Sequence, residues 1–240
     1  MVLYNLLTLY KKGTAVNKVY VNRSKTAALV IDVQKGFSEL CPNELPVAGA
    51  LEIVPEIQKI LSMVQTKIGS KDAHNPKDIW VADEKHPQIV TKVEGEEQAD
   101  CYWNSHCNIG EKGFELLDGL PKPQDFDFFI WKGIEAHPYS AVYHLLNPNK
   151  IGSKMTTGLI EYLRTRGINT IIALGLATNY CVKATVYDLK EAGFEIIVDL
   201  AGCRGIDYPE GAVNECVEQM KKDGIKVVNN YEEIEFLPWG

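Results

Sequence analysis

The sequence feature that most constrains the fold is a set of apolar runs that alternate with helical segments. Residues 26–33 read TAALVIDV, residues 127–131 read DFFIW, and residues 170–174 read TIIAL. Strands buried on both faces read as unbroken apolar runs, and such strands form parallel sheets that are covered by helices. The sequence therefore predicts a three-layer α/β/α fold with a doubly wound, mostly parallel sheet.

The segments between these runs complete that pattern. Residues 51–64, 158–166 and 209–223 are predicted helices, and further strands are predicted at 195–200 and 226–228, with a weaker strand at 66–71. Residues 1–240 are predicted to form one domain, with an N-terminal extension over residues 1–24. The acidic, irregular residues 79–100 are interpreted as a surface insertion or lid.

Three reactive side chains stand where predicted strands end: Asp32, Lys132 and Cys181. Parallel α/β sheets bind their ligands at the carboxyl ends of the strands. Cys181 also begins a predicted helix, where unpaired N–H groups and the helix dipole favour a thiolate. Taken alone, Cys181 could be a core cysteine and Asp32 a helix cap. Their occurrence together at three strand ends favours a catalytic set.

Two histidines and an aspartate are candidate metal ligands. Asp72 and His74 are two residues apart at the end of a predicted strand, so both side chains can face one point. Both residue types bind divalent transition metals, although such a pair alone is weak evidence. Trp103 and His106 follow the acidic segment and are either core residues or a pocket wall with a further ligand.

Composition excludes several functional classes. The net charge of −7 argues against a surface for nucleic acid or anionic membranes. The six cysteines contain no CxxC pair, which favours reduced thiols in a cytoplasmic protein. Residues 1–10 are apolar but too short to cross a bilayer, and they lack the flanks of a signal peptide. No nucleic-acid or membrane partner is expected, and the oligomeric state is left open, with a homo-oligomer as one alternative.

Several ordered motifs resemble those of a known family. These are IDVQ followed by Phe37, D-x-H followed by a proline, His106-Cys107 before a glycine, WKG, and GLATNYCV. In this order they resemble the isochorismatase-like cysteine hydrolases, and within them the nicotinamidase (pyrazinamidase) branch. The resemblance covers residues 26–223, and it implies that Asp32, Lys132 and Cys181 form the catalytic set.

The resemblance also implies the rest of a site. One divalent metal ion (Zn, Fe or Mn) would be held by Asp72, His74 and His106. The N–H groups of Ala177 and Cys181 would form an oxyanion hole, with a cis peptide bond between Leu176 and Ala177. The substrate pocket would be lined by Phe37, Trp103 and Tyr139.

The function implied by the resemblance is hydrolysis of nicotinamide, as the small-molecule partner, to nicotinate and ammonia through a cysteine thioester. One alternative is a related hydrolase that acts on another amide or carbamoyl compound, and a second is a catalytically silent binding domain. Trp80 stands where some members have a further histidine ligand, and His86 is an unassigned candidate ligand. His137 and His144 are assigned no role.

Overall fold

The computed structural model describes residues 18–89, 91–93, 101–134, 139–145 and 154–237. Within them lie four α-helices and ten strands: β1 (Val19–Asn22), β2 (Thr26–Ile31), α1 (Val54–Met63), β3 (Thr66–Asp72), β4 (Phe128–Lys132), β5 (Tyr143–Leu145), β6 (Lys154–Thr156), α2 (Leu159–Thr165), β7 (Thr170–Leu176), α3 (Lys183–Glu191), β8 (Glu195–Arg204), α4 (Ala212–Lys222), β9 (Lys226–Val228) and β10 (Ile234–Leu237).

Six strands form one parallel sheet in the order β4-β3-β2-β7-β8-β9. Side chains of β2 alternate between two cores. Ala28 and Val30 pack with α1, whereas Ala27, Leu29 and Ile31 pack with helices α2, α3 and α4. The predicted three-layer, doubly wound fold is confirmed. Strand order reverses between β2 and β7, which is where such folds bind ligands.

The two strands at this reversal approach each other very closely. Ile31 and Gly175 are paired in the register of β2 and β7. A Cβ atom on Gly175 would lie 2.0 Å from the Ile31 carbonyl oxygen, and the φ angle of Gly175 is +130°. Only glycine satisfies both conditions. This contact sets the distance between the strand ends that carry the site.

Several predicted boundaries are wrong in detail. The strand predicted at 195–200 continues to Arg204, because β8 resumes its pairing with β7 beyond a register irregularity at Ala173/Gly175. The helix predicted at 209–223 begins at Ala212, after a cis peptide bond between Tyr208 and Pro209. A 3₁₀ turn, Ala50–Ile53, precedes α1, so the helix predicted at 51–64 is shorter.

The predicted N-terminal extension and acidic insertion are only partly covered. Residues 1–17, 90 and 94–100 lie outside the described residues, as does His137, so the predicted domain boundaries stay predictions. Within the described extension, β1 pairs in parallel with β10, and Lys18 forms an ion pair with Glu235 at 2.6 Å. Among the helices that the structure describes, none has the length and apolar composition needed to cross a bilayer.

Candidate active site

Neighbouring strands bring four candidate functional side chains together where the strand order reverses. Asp32 directly follows β2, and Asp72 and Lys132 are the paired last residues of β3 and β4. Cys181 lies in the turn that follows β7. All four residues are buried. Because parallel strands all end at the same edge of the sheet, the topology brings these residues together.

The Lys132 ammonium group is the centre of this cluster. It lies 3.0 Å from Asp32 Oδ2 and 3.4 Å from Cys181 Sγ, and it also contacts Asp72 Oδ1. Asp72 Oδ2 is 4.0 Å from Cys181 Sγ. A buried lysine is paired in this way almost without exception. The sequence assigned Asp72 to a metal only, but in the structure it also belongs to the Lys132 cluster.

The backbone of Asp32 has a positive φ angle. Its φ angle is +51°, in the left-handed region that few residues with a side chain adopt. The Ser70 hydroxyl accepts a hydrogen bond from the Asp32 N–H at 3.3 Å and donates one to Oδ1 at 2.7 Å. Ser70 therefore fixes both the backbone and the carboxylate of Asp32, a contact that nothing in the sequence indicated.

Burial and charge shift the pKa values of these groups. Burial raises the pKa of Asp32 to about 6, with Lys132 opposing and Asp72 adding to the rise. Burial also raises the pKa of the Cys181 thiol well above its ordinary value, and Lys132 offsets only part of this. Burial therefore opposes the thiolate that was predicted at Cys181, whereas the Lys132 charge favours it.

The turn that contains Cys181 is wider than the sequence indicated. Residues Thr178–Val182 form a π-helical turn, and α3 begins only at Lys183. The Ala177 carbonyl oxygen accepts hydrogen bonds from the N–H groups of Tyr180 at 3.0 Å and Val182 at 3.2 Å. The peptide bond between Leu176 and Ala177 is cis, as the resemblance implied. Cys181 thus lies inside a closed turn that begins at the end of β7.

The three predicted metal ligands, Asp72, His74 and His106, come together beside this cluster. One ligand atom from each lies within 4.8 Å of the others, and all three residues are buried. Backbone carbonyls of Gly133 and Asn104 lie 3.3 Å and 2.6 Å from the Nδ1 atoms of His74 and His106. Since a carbonyl can only accept, each Nδ1 carries the hydrogen and each Nε2 keeps its lone pair.

The charge state of His106 suits a metal ligand. Burial, with His74 adding to the effect, lowers the pKa of His106 to about 3. A neutral imidazole is the form that binds metals. The site next to Asp72 therefore offers two oriented nitrogen ligands and one carboxylate, a set that fits a divalent transition metal.

A pocket opens over Cys181. Phe37, Trp103 and Tyr139 line it as predicted, and the Trp103 indole N–H donates a hydrogen bond to the Tyr139 hydroxyl at 2.9 Å. Three further apolar or aromatic residues were not anticipated, because they come from three separate loops and turns: Leu45, Tyr180 and Ile206. The remaining lining residues are Asp72, His106, Ala177 and Cys181.

Trp80, His86 and His144 were not assigned a role from the sequence. The Trp80 ring is buried against the rings of His74 and His106, at centroid distances of 4.6 Å and 5.3 Å. The half-exposed His86 lies 2.9 Å from Asp83 and stacks on Tyr102. His86 is therefore not in the ligand group formed by the described residues. His144 lies on β5.

Gln34 is a second supporting residue that the sequence analysis missed. Its amide accepts from the Asp72 N–H at 2.8 Å and donates to the Asp72 carbonyl at 2.8 Å. This two-way pairing joins the end of β2 to the end of β3. Its position in the IDVQ motif, two residues after Asp32, was the available signal.

The fold has three layers, and the switch point of its sheet holds a buried cysteine, lysine and aspartate beside a carboxylate and two histidines. This combination defines the isochorismatase-like class. The profile of the Isochorismatase domain matches residues 26–230, and the chain belongs to this family.

The chain is also similar to several nicotinamidases and pyrazinamidases. The nicotinamidase of Acinetobacter baylyi is 29% identical over 207 residues, which cover 85% of this chain and 92% of the relative. The structure of a nicotinamidase and pyrazinamidase from Acinetobacter baumanii superposes with a TM-score of 0.73 at 30% identity, covering 85% and 96% of the two chains. A zinc complex of the Pyrococcus horikoshii pyrazinamidase superposes with a TM-score of 0.64 at 26% identity, covering 85% and 98%.

Proposed function

We propose that this protein is a nicotinamidase, which hydrolyses nicotinamide to nicotinate and ammonia. The observation that carries the proposal is the Lys132 ammonium group, which contacts a thiol and two carboxylates at the base of an apolar pocket. Membership of the isochorismatase family and similarity to named nicotinamidases support the choice of substrate.

The nucleophile is Cys181, and Asp32 is its base. One atom from each of Asp32, Asp72 and Cys181 lies within 4.8 Å of the others, so a proton has a short path from sulfur to carboxylate. Asp32, with its pKa of about 6, is largely ionised at neutral pH and can accept that proton. Cys181 attacks the carboxamide carbon, and the N–H groups of Ala177 and Cys181 stabilise the oxyanion.

Asp32 returns the proton to the leaving nitrogen, so ammonia departs and a nicotinoyl thioester remains on Cys181. A water molecule that gives its proton to Asp32 then attacks the thioester. Asp32 passes this proton to the departing sulfur, which restores the Cys181 thiol and the Asp32 carboxylate, and nicotinic acid leaves and ionises to nicotinate in water. Lys132 stays charged throughout, because burial would lower its pKa but Asp32 and Asp72 outweigh burial and raise it. Its charge keeps the two carboxylates and the sulfur together.

Asp72, His74 and His106 would hold a divalent metal ion. Bound there, the ion would act as a Lewis acid that binds and orients the pyridine ring of the substrate. The donor set of one carboxylate and two imidazoles suits zinc, iron or manganese. The aromatic walls formed by Phe37, Trp103 and Tyr180 favour a flat ring over an aliphatic amide.

Ammonia release from nicotinamide, pyrazinamide and a panel of carbamoyl amides tests the proposal. We expect release from the two aromatic amides, and none from the Cys181→Ala variant. Cys203→Ala is the matched control, since Cys203 is equally buried but does not line the pocket. A nicotinoyl adduct on the Cys181 peptide after acid quenching would support the thioester. Release only from carbamoyl amides would refute the substrate, and full activity of Cys181→Ala would refute the mechanism.

A further inference from the structure

The loop before α1 contains a glutamate, Glu44, that the proposed mechanism does not use. Its carboxylate turns toward the protein and accepts a hydrogen bond from the Cys107 N–H at 2.8 Å. Its side chain is partly buried, although a carboxylate in a surface loop would ordinarily extend into water. The contact spans 63 residues of sequence and ends one residue from His106.

Two Lys-Gly-Phe turns enclose the Glu44 carboxylate. They are the 3₁₀ turns Lys35–Phe37 and Lys112–Phe114, which are joined by a hydrogen bond of 2.8 Å from the Lys35 N–H to the Glu115 carbonyl. A Cβ atom on Gly36 would lie 2.3 Å from Glu44 Oε2, and one on Gly113 would lie 1.9 Å from it.

Neither glycine has a positive φ angle, so the backbone conformation does not require glycine at either position. The Glu44 carboxylate, in its present position, leaves no room for a Cβ atom at either one. At Gly113 the three nearest atoms to an added Cβ all belong to Glu44. The two turns therefore form a socket for one carboxylate, built from two identical tripeptides that are distant in sequence.

Glu44 also contacts the backbone segment on which His106 stands. The Asn104 amide donates to the Glu44 carbonyl oxygen at 3.3 Å, and the Asn104 carbonyl oxygen faces His106 Nδ1 at 2.6 Å. Residues 104 and 107 are thus both tied to Glu44, one on each side of His106. Cys107 has a φ angle of +49°, an uncommon conformation that its hydrogen bond to Glu44 helps to hold.

The same segment reaches the other histidine. The His74 N–H donates to the Cys107 carbonyl oxygen at 3.2 Å, and the His74 carbonyl oxygen accepts from the Ile109 N–H at 3.1 Å. Moving Cys107 would therefore disturb the backbones of both histidines. Hydrogen-bond partners of metal ligands tune metal affinity, and Glu44 holds the backbone that supplies these partners.

We propose that Glu44 is a positioning residue for the two histidines of the metal site, and that the Lys-Gly-Phe turns exist to hold its carboxylate. This inference rests on the metal site of the proposed function. Glu44 acts through the backbone of residues 104–107 and does not itself touch substrate or metal. Its effect should therefore appear in metal affinity, and it should depend on the hydrogen bond to Cys107 rather than on the charge.

The test measures Zn²⁺ affinity by competition with a chromogenic chelator, together with the visible spectrum of the Co²⁺ form. We expect Glu44→Ala to weaken Zn²⁺ binding at least ~10-fold and to alter the Co²⁺ spectrum. Glu44→Gln keeps an acceptor oxygen for the Cys107 N–H, so it should retain most of the affinity. Gly113→Ala should weaken Zn²⁺ binding in the parent, because the new Cβ displaces the carboxylate.

The double variant Glu44→Ala/Gly113→Ala tests whether the two substitutions act through the same carboxylate. With the carboxylate gone, the Gly113 substitution should cost no further affinity. Additive losses in the double variant, or parental Zn²⁺ affinity in an active Glu44→Ala protein, would overturn the positioning role and leave the proposed function intact. A parent protein that binds no Zn²⁺ would instead refute the metal site of the proposed function, and this inference with it.

Discussion

Lys132 holds a full charge on a side chain with no exposed surface, between two carboxylates that are also buried. Replacing it by methionine would keep most of the length of the side chain and remove the charge. Asp32 and Asp72 would then face each other without a cation. We expect Lys132→Met to abolish turnover and to lower the free energy of unfolding by roughly 3–5 kcal/mol, measured by urea denaturation in EDTA.

Adding Asp32→Asn to Lys132→Met is the control for the predicted loss of stability. Asp32→Asn removes one of the two carboxylates, so Lys132→Met/Asp32→Asn should be less destabilised than Lys132→Met alone. A parental free energy of unfolding in Lys132→Met would show that the ion cluster does not form.

Gly133 lies against His74, one of the proposed metal ligands. Its φ angle is +83°, and an added Cβ would lie 2.5 Å from His74 Cε1. We expect Gly133→Ala to turn the His74 ring and weaken Zn²⁺ binding at least ~10-fold, as measured with a competing chelator. Gly211→Ala is the matched control, because its φ angle is +89° and its Cβ would contact nothing within 4 Å. Equal Zn²⁺ affinity in the two variants would argue against this account of Gly133.

At the scale of the element, the contact between β2 and β7 fixes the relative positions of Asp32 and Cys181. We expect Gly175→Ala to reduce the free energy of unfolding by more than about 3 kcal/mol, since its Cβ would collide with the Ile31 backbone. Gly167→Ala also has a positive φ angle but meets no atom within 4 Å, so it should cost about 1–2 kcal/mol. Urea denaturation of both variants measures the difference, and similar losses would contradict the argument.

The strands of this sheet were largely predictable, because β2, β4 and β7 are apolar runs with no alternation. Parallel strands end at one edge, so the meeting of Asp32, Lys132 and Cys181 followed from the topology. The contact of Lys132 with Asp72 did not, because it depends on the register of β3 against β4. Leu45 and Ile206 were missed for a related reason: loops carry no periodicity, so sequence alone does not indicate which wall of a pocket they reach.

At the scale of the whole molecule, a buried carboxyl group away from the site gives the stability a pH dependence. Burial, with the Glu56 carboxyl adding to it, raises the pKa of Asp199 to about 7 from 3.8. The folded state therefore binds a proton more tightly than the unfolded chain. The stability that this proton provides is present below about pH 4 and is lost as the pH rises through 7.

Asparagine at position 199 imitates the protonated acid and can still accept from the N–H groups of Ala201 and Gly202, which now lie 3.0 Å and 3.3 Å from Oδ1. We expect Asp199→Asn to have a Tm several degrees above the parent at pH 8, corresponding to roughly 2 kcal/mol, and little difference at pH 4.5. Thermal unfolding at both pH values, followed by circular dichroism, measures this. A constant difference between the two proteins would show that Asp199 does not titrate in this range.

The pairing of β1 with β10 has a mechanical consequence. Val19 lies beside Ile234 and Asn22 beside Leu237, so the two strands run in the same direction at opposite ends of the described chain. A pulling force applied before β1 and after β10 would draw the strands along each other in opposite senses. Every hydrogen bond of the ladder would then be loaded in shear at once, instead of being peeled one after another. The β1–β10 ladder would therefore resist the force before it reaches the central sheet and the site.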